Sequence, residues 1–359
     1  VNRPYAELCE ELQARCAGLE RRMQFMEVCG THTVSIFRNG IRALLPSNLR
    51  LVSGPGCPVC VTAQRHIDAA IELASRPDVI IATYGDMLRV PGKKGSLEKL
   101  RSMGADVRVV TSTRNAIELA AAQSDRQVVF LGVGFETTAP ATAVAVLDAQ
   151  RRGLNNFSVL MCHKLVIPAM MALLEAGDVP LDGFLCPGHV SVIIGSAAYQ
   201  PIVERYRRPC VIAGFEPSQI LRGLVELVRQ YESGQAAVQN VYTGVVTERG
   251  NRQALELLGR VFVVADAVWR ALGVIPQSGL ELAPQYRRFD ALERFEVTLG
   301  EDEDHPACRC GQVIQGKVEP TECPLFGSTC TPLRPVGPCM VSSEGTCSAW
   351  YKYGGGAAR

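Results

Sequence analysis

Residues 49–83 read LRLVSGPGCPVCVTAQRHIDAAIELASRPDVIIAT. A short apolar run, Leu49–Ser53, ends in the turn Gly54-Pro55-Gly56. A helical period follows over Val61–Ala74, and a β-branched run, Val79–Thr83, closes the stretch. Strand, turn, helix and strand in that order are the parts of a parallel βαβ unit. The same alternation continues outward on both sides. Further strands are expected at Gln24–Val28, Val107–Thr111, Val128–Val133, Phe157–Met161, Gly183–Leu185, Pro209–Ala213 and Val241–Val246, each bounded by Gly, Pro, Asp or Asn. Their continuous apolar character is that of strands buried on both faces. Between them lie helical patterns such as Val34–Leu45, with Val34, Phe37, Ile41, Leu44 and Leu45 on one stripe.

The fold class expected is α/β, with two similar parallel-sheet domains and a cleft between them. Short internal likenesses support the pairing. VVFLGVGFETTAP matches CVIAGFEPSQI, SGPGCPVC matches LMCHKLVIP, and DVIIATYGDMLRV matches DGFLCPGHVSVII. Residues 20–125 are expected to form the first domain and 126–250 the second. Arg252–Leu272 reads as one long helix, and the stretch from Gly273 onward is irregular and rich in Pro, Gly and Cys. Residues 1–19 and 251–359 are assigned to a third, cysteine-rich unit, with the first helix, Tyr5–Leu19, packed against it.

Composition excludes several functions. The chain has 359 residues, 37 of them basic and 36 acidic, so it lacks the basic excess of a nucleic-acid binder. Hydrophobic residues make up 47% and the net charge is +1, which rules out a disordered chain. No apolar run is long enough to span a bilayer; even Val261–Trp269 is broken by Asp266 and ended by Arg270. The opening VNRPYAELCEELQARC lacks the apolar segment of a secretory signal. A soluble cytoplasmic protein is expected, with neither nucleic acid nor membrane as partner.

In that compartment, 14 cysteines point to metal or redox chemistry rather than disulfide staples. Six lie between Cys308 and Cys347, and four of these, Cys310, Cys323, Cys330 and Cys347, have the spacing C-x12-C-x6-C-x16-C. Four thiolates suit either tetrahedral zinc or a 4Fe–4S cluster. Paired C-x2–4-C knuckles, which structural zinc sites prefer, are missing here, so loose loop spacing favours the cluster. Spacing alone does not fix which four of the six bind. A second group is Cys57-Pro58-Val59-Cys60, which opens a helix as a redox dithiol does; half a zinc site or two buried thiols are the blander alternatives. The third is Cys29-Gly30-Thr31-His32-Thr33, where Cys29 and His32 are close enough to share a metal or a proton; a simple capping turn is the alternative. Asp86, Glu136, His189 and Glu216 end other strands and could face the same cleft, since ligands of open α/β sheets bind outside the carboxyl ends of strands. Each could equally be a turn or cap.

Taken together, MEVCGTHT, GPGCPVC, TYGDMLRVPG, GFETTAP, CPGHVSVIIG, AGFEPSQI and the tail CPLFGSTCTP…MVSSEGTCSAWYKYG resemble the HypD family of nickel-iron hydrogenase maturation factors. The motifs run in order from Met26 to Gly354. The resemblance implies that Cys310, Cys323, Cys330 and Cys347 ligate a 4Fe–4S cluster, leaving Cys308 and Cys339 outside the pattern. It implies that Cys29 holds a transient iron carrying CN and CO ligands, with Cys57 and Cys60 as a redox pair in the cleft. It also implies two partners: a HypC-type small chaperone that adds a cysteine to the iron, and a HypE-type donor that delivers cyanide from a thiocyanate. His32 could orient or protonate a ligand. On this reading the chain is a redox-coupled assembly scaffold rather than a conventional multiple-turnover enzyme. An iron–sulfur thiol–disulfide reductase would use the same cluster and CPVC pair without Cys29 or a chaperone, and a zinc-stapled interaction protein would need no redox chemistry.

Overall fold

Eleven strands are present among residues 4–354, the part of the chain that this computed structural model describes. They are β1 (Met23–Glu27), β2 (Leu49–Ser53), β3 (Val79–Thr83), β4 (Val107–Val109), β5 (Gln127–Gly134), β6 (Phe157–His163), β7 (Gly183–Pro187), β8 (Cys210–Ala213), β9 (Val238–Asn240), β10 (Phe262–Trp269) and β11 (Gly273–Leu282). One parallel sheet has the order β2-β1-β7-β8-β9. A second parallel sheet has the order β4-β3-β5-β6. β10 and β11 form an antiparallel hairpin.

The expected α/β class with two parallel sheets is therefore present, but the sheets do not follow the chain order expected for them. β2 and β3, the two strands of residues 49–83, lie in different sheets. The boundary expected between residues 125 and 126 falls between β3 and β5, which are hydrogen-bonded neighbours. Sheet two is an insertion in sheet one: the chain leaves after β2 and returns at β7. Counted within its own sheet, the strands nonetheless run 2-1-3-4-5 in sheet one and 2-1-3-4 in sheet two. Such an order reverses direction once, between β1 and β7 in sheet one and between β3 and β5 in sheet two, and the crevice at that reversal is where ligands bind. The three matched sequence pairs do not fall on equivalent strands. β5 is third in its sheet and β8 fourth; β2 is second and β6 fourth; β3 is first and β7 third. They share local strand–turn–helix chemistry, not position.

Both sheets and the tail share one buried core. Val28 and Phe184 of sheet one join Ile81, Val129 and Leu160 of sheet two and Cys310, Val313 and Met340 of the tail in a single cluster. The far face of sheet one is covered by the helix Pro217–Ser233 and by the helix Tyr5–Ala17, whose Leu8, Leu12 and Cys16 are buried with Phe25 and Leu224. The first helix thus packs on sheet one, not on the tail, because its one apolar stripe matches that face.

Two local expectations are corrected. Arg252–Leu272 is a helix only through Val261. From there FVVADAVW is rich in β-branched and aromatic residues and forms β10 instead. Ala271 and Gly273, both at positive φ, turn the chain into β11, within the stretch expected to be irregular. The hairpin packs on sheet two through Phe262, Leu280 and Leu282. The ninth strand lies at Val238–Asn240 and not at Val241–Val246. Asn240 ends it: its side chain donates to Val246 O at 2.8 Å and accepts from Tyr242 N at 2.9 Å, folding the next residues into a turn. No helix among the described residues is long and apolar enough to cross a membrane.

Candidate functional site

Cys29 stands at the carboxyl end of β1, at the reversal point of sheet one. Its backbone is extended and caps the helix Gly30–Arg38. The backbone N–H groups of His32 and Thr31 and the Thr31 side chain lie near the thiol and favour its charged form. Burial nevertheless pushes it up to about 11, against the pull of those donors, and Glu344 adds to the rise. A thiol so held ionises only beside a cation.

Two glycines let other segments reach this point. A Cβ on Gly56 would lie 2.3 Å from Cys29 N, and one on Gly30 would lie 2.5 Å from Glu344 Cβ. Both are contacts that only glycine permits. Gly30 N donates to Gly56 O at 3.2 Å, which fastens the β2 turn to the start of the Cys29 helix. One residue after Gly56, Cys57 and Cys60 are joined as a disulfide with Cα atoms 5.3 Å apart. Cys57 caps the short helix Pro58–Val61. The sequence-predicted trio of Cys29, Cys57 and Cys60 is thus brought together.

The tail reaches the same place. Thr31 Oγ1 donates to Glu344 at 2.8 Å. Asp86, at the end of β3 in sheet two, accepts from Ser343 N at 2.9 Å and from the hydroxyls of Ser342 (3.2 Å) and Ser343 (3.0 Å). Residues 342–344 therefore clamp the carboxyl edges of both sheets. Farther out, Trp350 packs tilted against Phe37 with ring centroids 5.0 Å apart, and the Arg42 guanidinium covers both rings.

The other sequence candidates divide. His32 is fully buried and donates from Nε2 to Gly214 O at 2.9 Å, so its backbone rather than its ring meets the thiol. Burial lowers the ring to about 4, keeping it neutral. Phe215 separates it from His189, with ring centroids 4.8 Å and 4.1 Å away, and His189 stands exposed. Glu216 is a cap: it forms a reciprocal capping box with Gln219 on the helix Pro217–Ser233. Glu136 is buried at the reversal point of sheet two. One oxygen accepts from Val166 N at 2.9 Å and the other has no partner among the described residues.

Desolvation raises Glu136 from its usual 4.5 to about 7. Between those values the unfolded chain is ionised while the folded one keeps its proton, so stability falls as pH rises through that window. Urea unfolding at pH 5 and pH 8 should show wild type losing up to about 3 kcal/mol relative to Glu136→Gln. A parallel pH course for the two proteins would disprove it.

Sequence reasoning passed over Glu27. It is buried two residues before Cys29, accepts from Ser53 Oγ at 2.5 Å and Thr33 Oγ1 at 3.2 Å, and its second oxygen is unpartnered among the described residues. Its signal was available: a carboxylate inside the apolar strand FMEVC needs an internal partner.

All six tail cysteines interact. The Cys310 and Cys339 thiols act on each other, as do Cys339 and Cys347; Cys347 N donates to Cys339 Sγ at 3.2 Å. Cys308 is influenced by Cys310, Cys323 and Cys330, and burial pushes it up to about 12. Val336 N donates to Cys330 Sγ at 3.3 Å. Among the described residues, no three His, Cys, Asp or Glu side chains close round one point as a single-ion site does. Crowded thiols that raise one another become thiolates only round positive charge, and loop amides already aimed at sulfur suit a thiolate-bound cluster. The donor set fits an iron–sulfur group.

Two parallel sheets of matching order, with thiols at one reversal point and a thiol-rich tail clamped across both edges, define a cysteine-centred α/β protein. Comparison with known proteins makes this specific. The family model HypD, described as "Hydrogenase formation hypA family", matches residues 4–354. The chain belongs to the HypD family. It is 47% identical over 352 residues to the hydrogenase maturation factor HypD of Escherichia coli, covering 97% of this chain and 94% of that protein. It is 49% identical over 342 residues to the HypD of Azotobacter vinelandii, covering 93% and 90%. A 44% identity to the HypD of Cupriavidus necator spans 97% of this chain and 95% of that relative.

Proposed function

We propose that the chain is the scaffold on which the Fe(CN)2CO centre of nickel-iron hydrogenases is assembled. The observation that carries this is the meeting of Cys29, the Cys57–Cys60 pair and the tail loop at one strand-end crevice. Iron arrives as cargo and is held by the Cys29 thiolate, a soft ligand matched to it, with a HypC-type chaperone supplying a second cysteine. Iron ionises the thiol that burial otherwise keeps protonated. A HypE-type partner presents the thiocyanate. Releasing cyanide from R–S–CN takes two electrons and one proton, leaving R–SH and CN⁻. Oxidation of the Cys57/Cys60 dithiol to the disulfide yields two electrons and two protons, so one proton reaches the partner's sulfur and one leaves to solvent. The disulfide seen here is the spent form.

A 4Fe–4S cluster in the tail supplies single electrons when bound. Cys310, Cys323, Cys330 and Cys347 would hold it. The helix Pro338–Val341, which carries Cys339, packs on Pro58–Val61, which carries Cys60. That contact is the route by which the spent disulfide is reduced again.

The test is anaerobic co-purification with the small chaperone from cells holding the other maturation factors, followed by infrared spectroscopy. Bands of iron-bound CN and CO are expected. A cluster-loaded complex without them would refute the scaffold.

A further inference from the structure

β6, the β10–β11 hairpin and residues 287–299 enclose a cavity of about 310 Å³. It is near the small end of the range for small-molecule sites. Lys164, directly after β6, lines it and is only 3% exposed. Its backbone is fixed, with N donating to Gly134 O at 2.9 Å. Among the described residues, its ammonium has no hydrogen-bond or ion-pair partner. Asp302, the carboxylate that acts on it electrostatically, is already bound to Arg65 at 2.8 and 2.9 Å. A buried ammonium without a partner is costly, and an anion in the cavity would relieve it.

Two further groups line the same cavity. The Nδ1 atoms of His66 and His163 are buried and unpartnered among the described residues, while Nε2 of His163 lies 2.8 Å from Thr142 Oγ1. Burial lowers both rings, His66 to about 3 and His163 to about 4, so both are neutral hydrogen-bonding groups. The acidic wall opposite is engaged. Asp290 accepts from Leu292 N at 2.8 Å and Glu293 N at 3.1 Å, Asp266 accepts from Gln277 N at 3.0 Å, and Glu293 lies 3.8 Å from Arg287. Glu281 stands exposed at the rim. Leu280, Leu292 and Leu299 supply apolar surface between the two walls.

We propose that this cavity binds a small carboxylate, its charged oxygens on the Lys164 ammonium and its short carbon body against the leucines. The site is separate from the thiol crevice, and nothing in the proposal depends on the assembly reading.

Titration calorimetry on the full chain with 2-hydroxybutyrate tests it, with 1-amino-2-butanol and inorganic phosphate as controls. The acid is expected to bind, and Lys164→Met to weaken it at least about tenfold, the loss of one charge-assisted contact. Leu299→Trp, which fills the cavity and leaves Lys164 in place, is expected to weaken it equally and guards against misfolding of the first variant. Equal binding by wild type and both variants, no binding at all, preference for the amine, or binding of phosphate alone would each overturn the assignment.

Discussion

A Cys29→Ser variant is expected to reduce hydrogenase maturation to background while the tail keeps its full iron and sulfide. Serine retains the size of the side chain and is a good helix cap, so the helix Gly30–Arg38 should form normally. What is lost is the sulfur. A hydroxyl in this buried position cannot ionise to serve as a soft ligand, and the Thr31 and His32 donors then face an oxygen that binds iron poorly. The measurement is hydrogenase activity in cells whose own copy of this gene is replaced by the variant, with iron and sulfide assayed on the purified chain. Active hydrogenase from the variant would remove Cys29 from the centre of the mechanism. Loss of the tail's iron as well would mean that the substitution had damaged the fold.

The second large effect separates two neighbouring cysteines of the tail. Cys310→Ser should lose most of the bound iron and sulfide, because it removes a ligand. Cys308→Ser should keep both. The contrast follows from the C-x12-C-x6-C-x16-C spacing, which takes in Cys310 and leaves out Cys308. Iron and sulfide assayed on the anaerobically purified chain give the readout. If Cys308→Ser loses the iron and Cys310→Ser retains it, the ligand set is not the one that the spacing suggests.

These two predictions mark where reading the chain succeeded and where it stopped. Leu49–Ser53 and Val79–Thr83 were legible to the residue, because a short apolar run between Gly, Pro and Asp has few other uses. The sheet each joins was not legible. Strand pairing is decided by packing between segments far apart in the chain, and apolar runs of like composition do not name their neighbours. Phe262–Trp269 continued a helical pattern across a boundary that only the hairpin partner Gly273–Leu282 makes clear. In the site, Cys29, Cys57 and Cys60 were visible because chemistry and turn signals coincided. Glu216 lay in the same kind of strand-end motif and proved to be a helix cap, and local sequence cannot tell these roles apart. For the tail, spacing limits the choice among six cysteines without settling it, since each loop can carry its sulfur several ångströms either way.

The insertion of one sheet within the other has a consequence for how the protein is made. The strands of sheet two are continuous in the chain and can pair as they leave the ribosome. Sheet one cannot, because β1 waits for β7 before it is flanked on both sides. Chains that must bring distant segments together do so late and slowly. Cys29 is synthesised early, but its crevice is incomplete until β7 arrives, and Glu344 covers it only when almost the whole chain has emerged. A nascent chain therefore carries the thiol without the site. On the proposed assembly role, iron loading and partner docking would wait for the finished molecule.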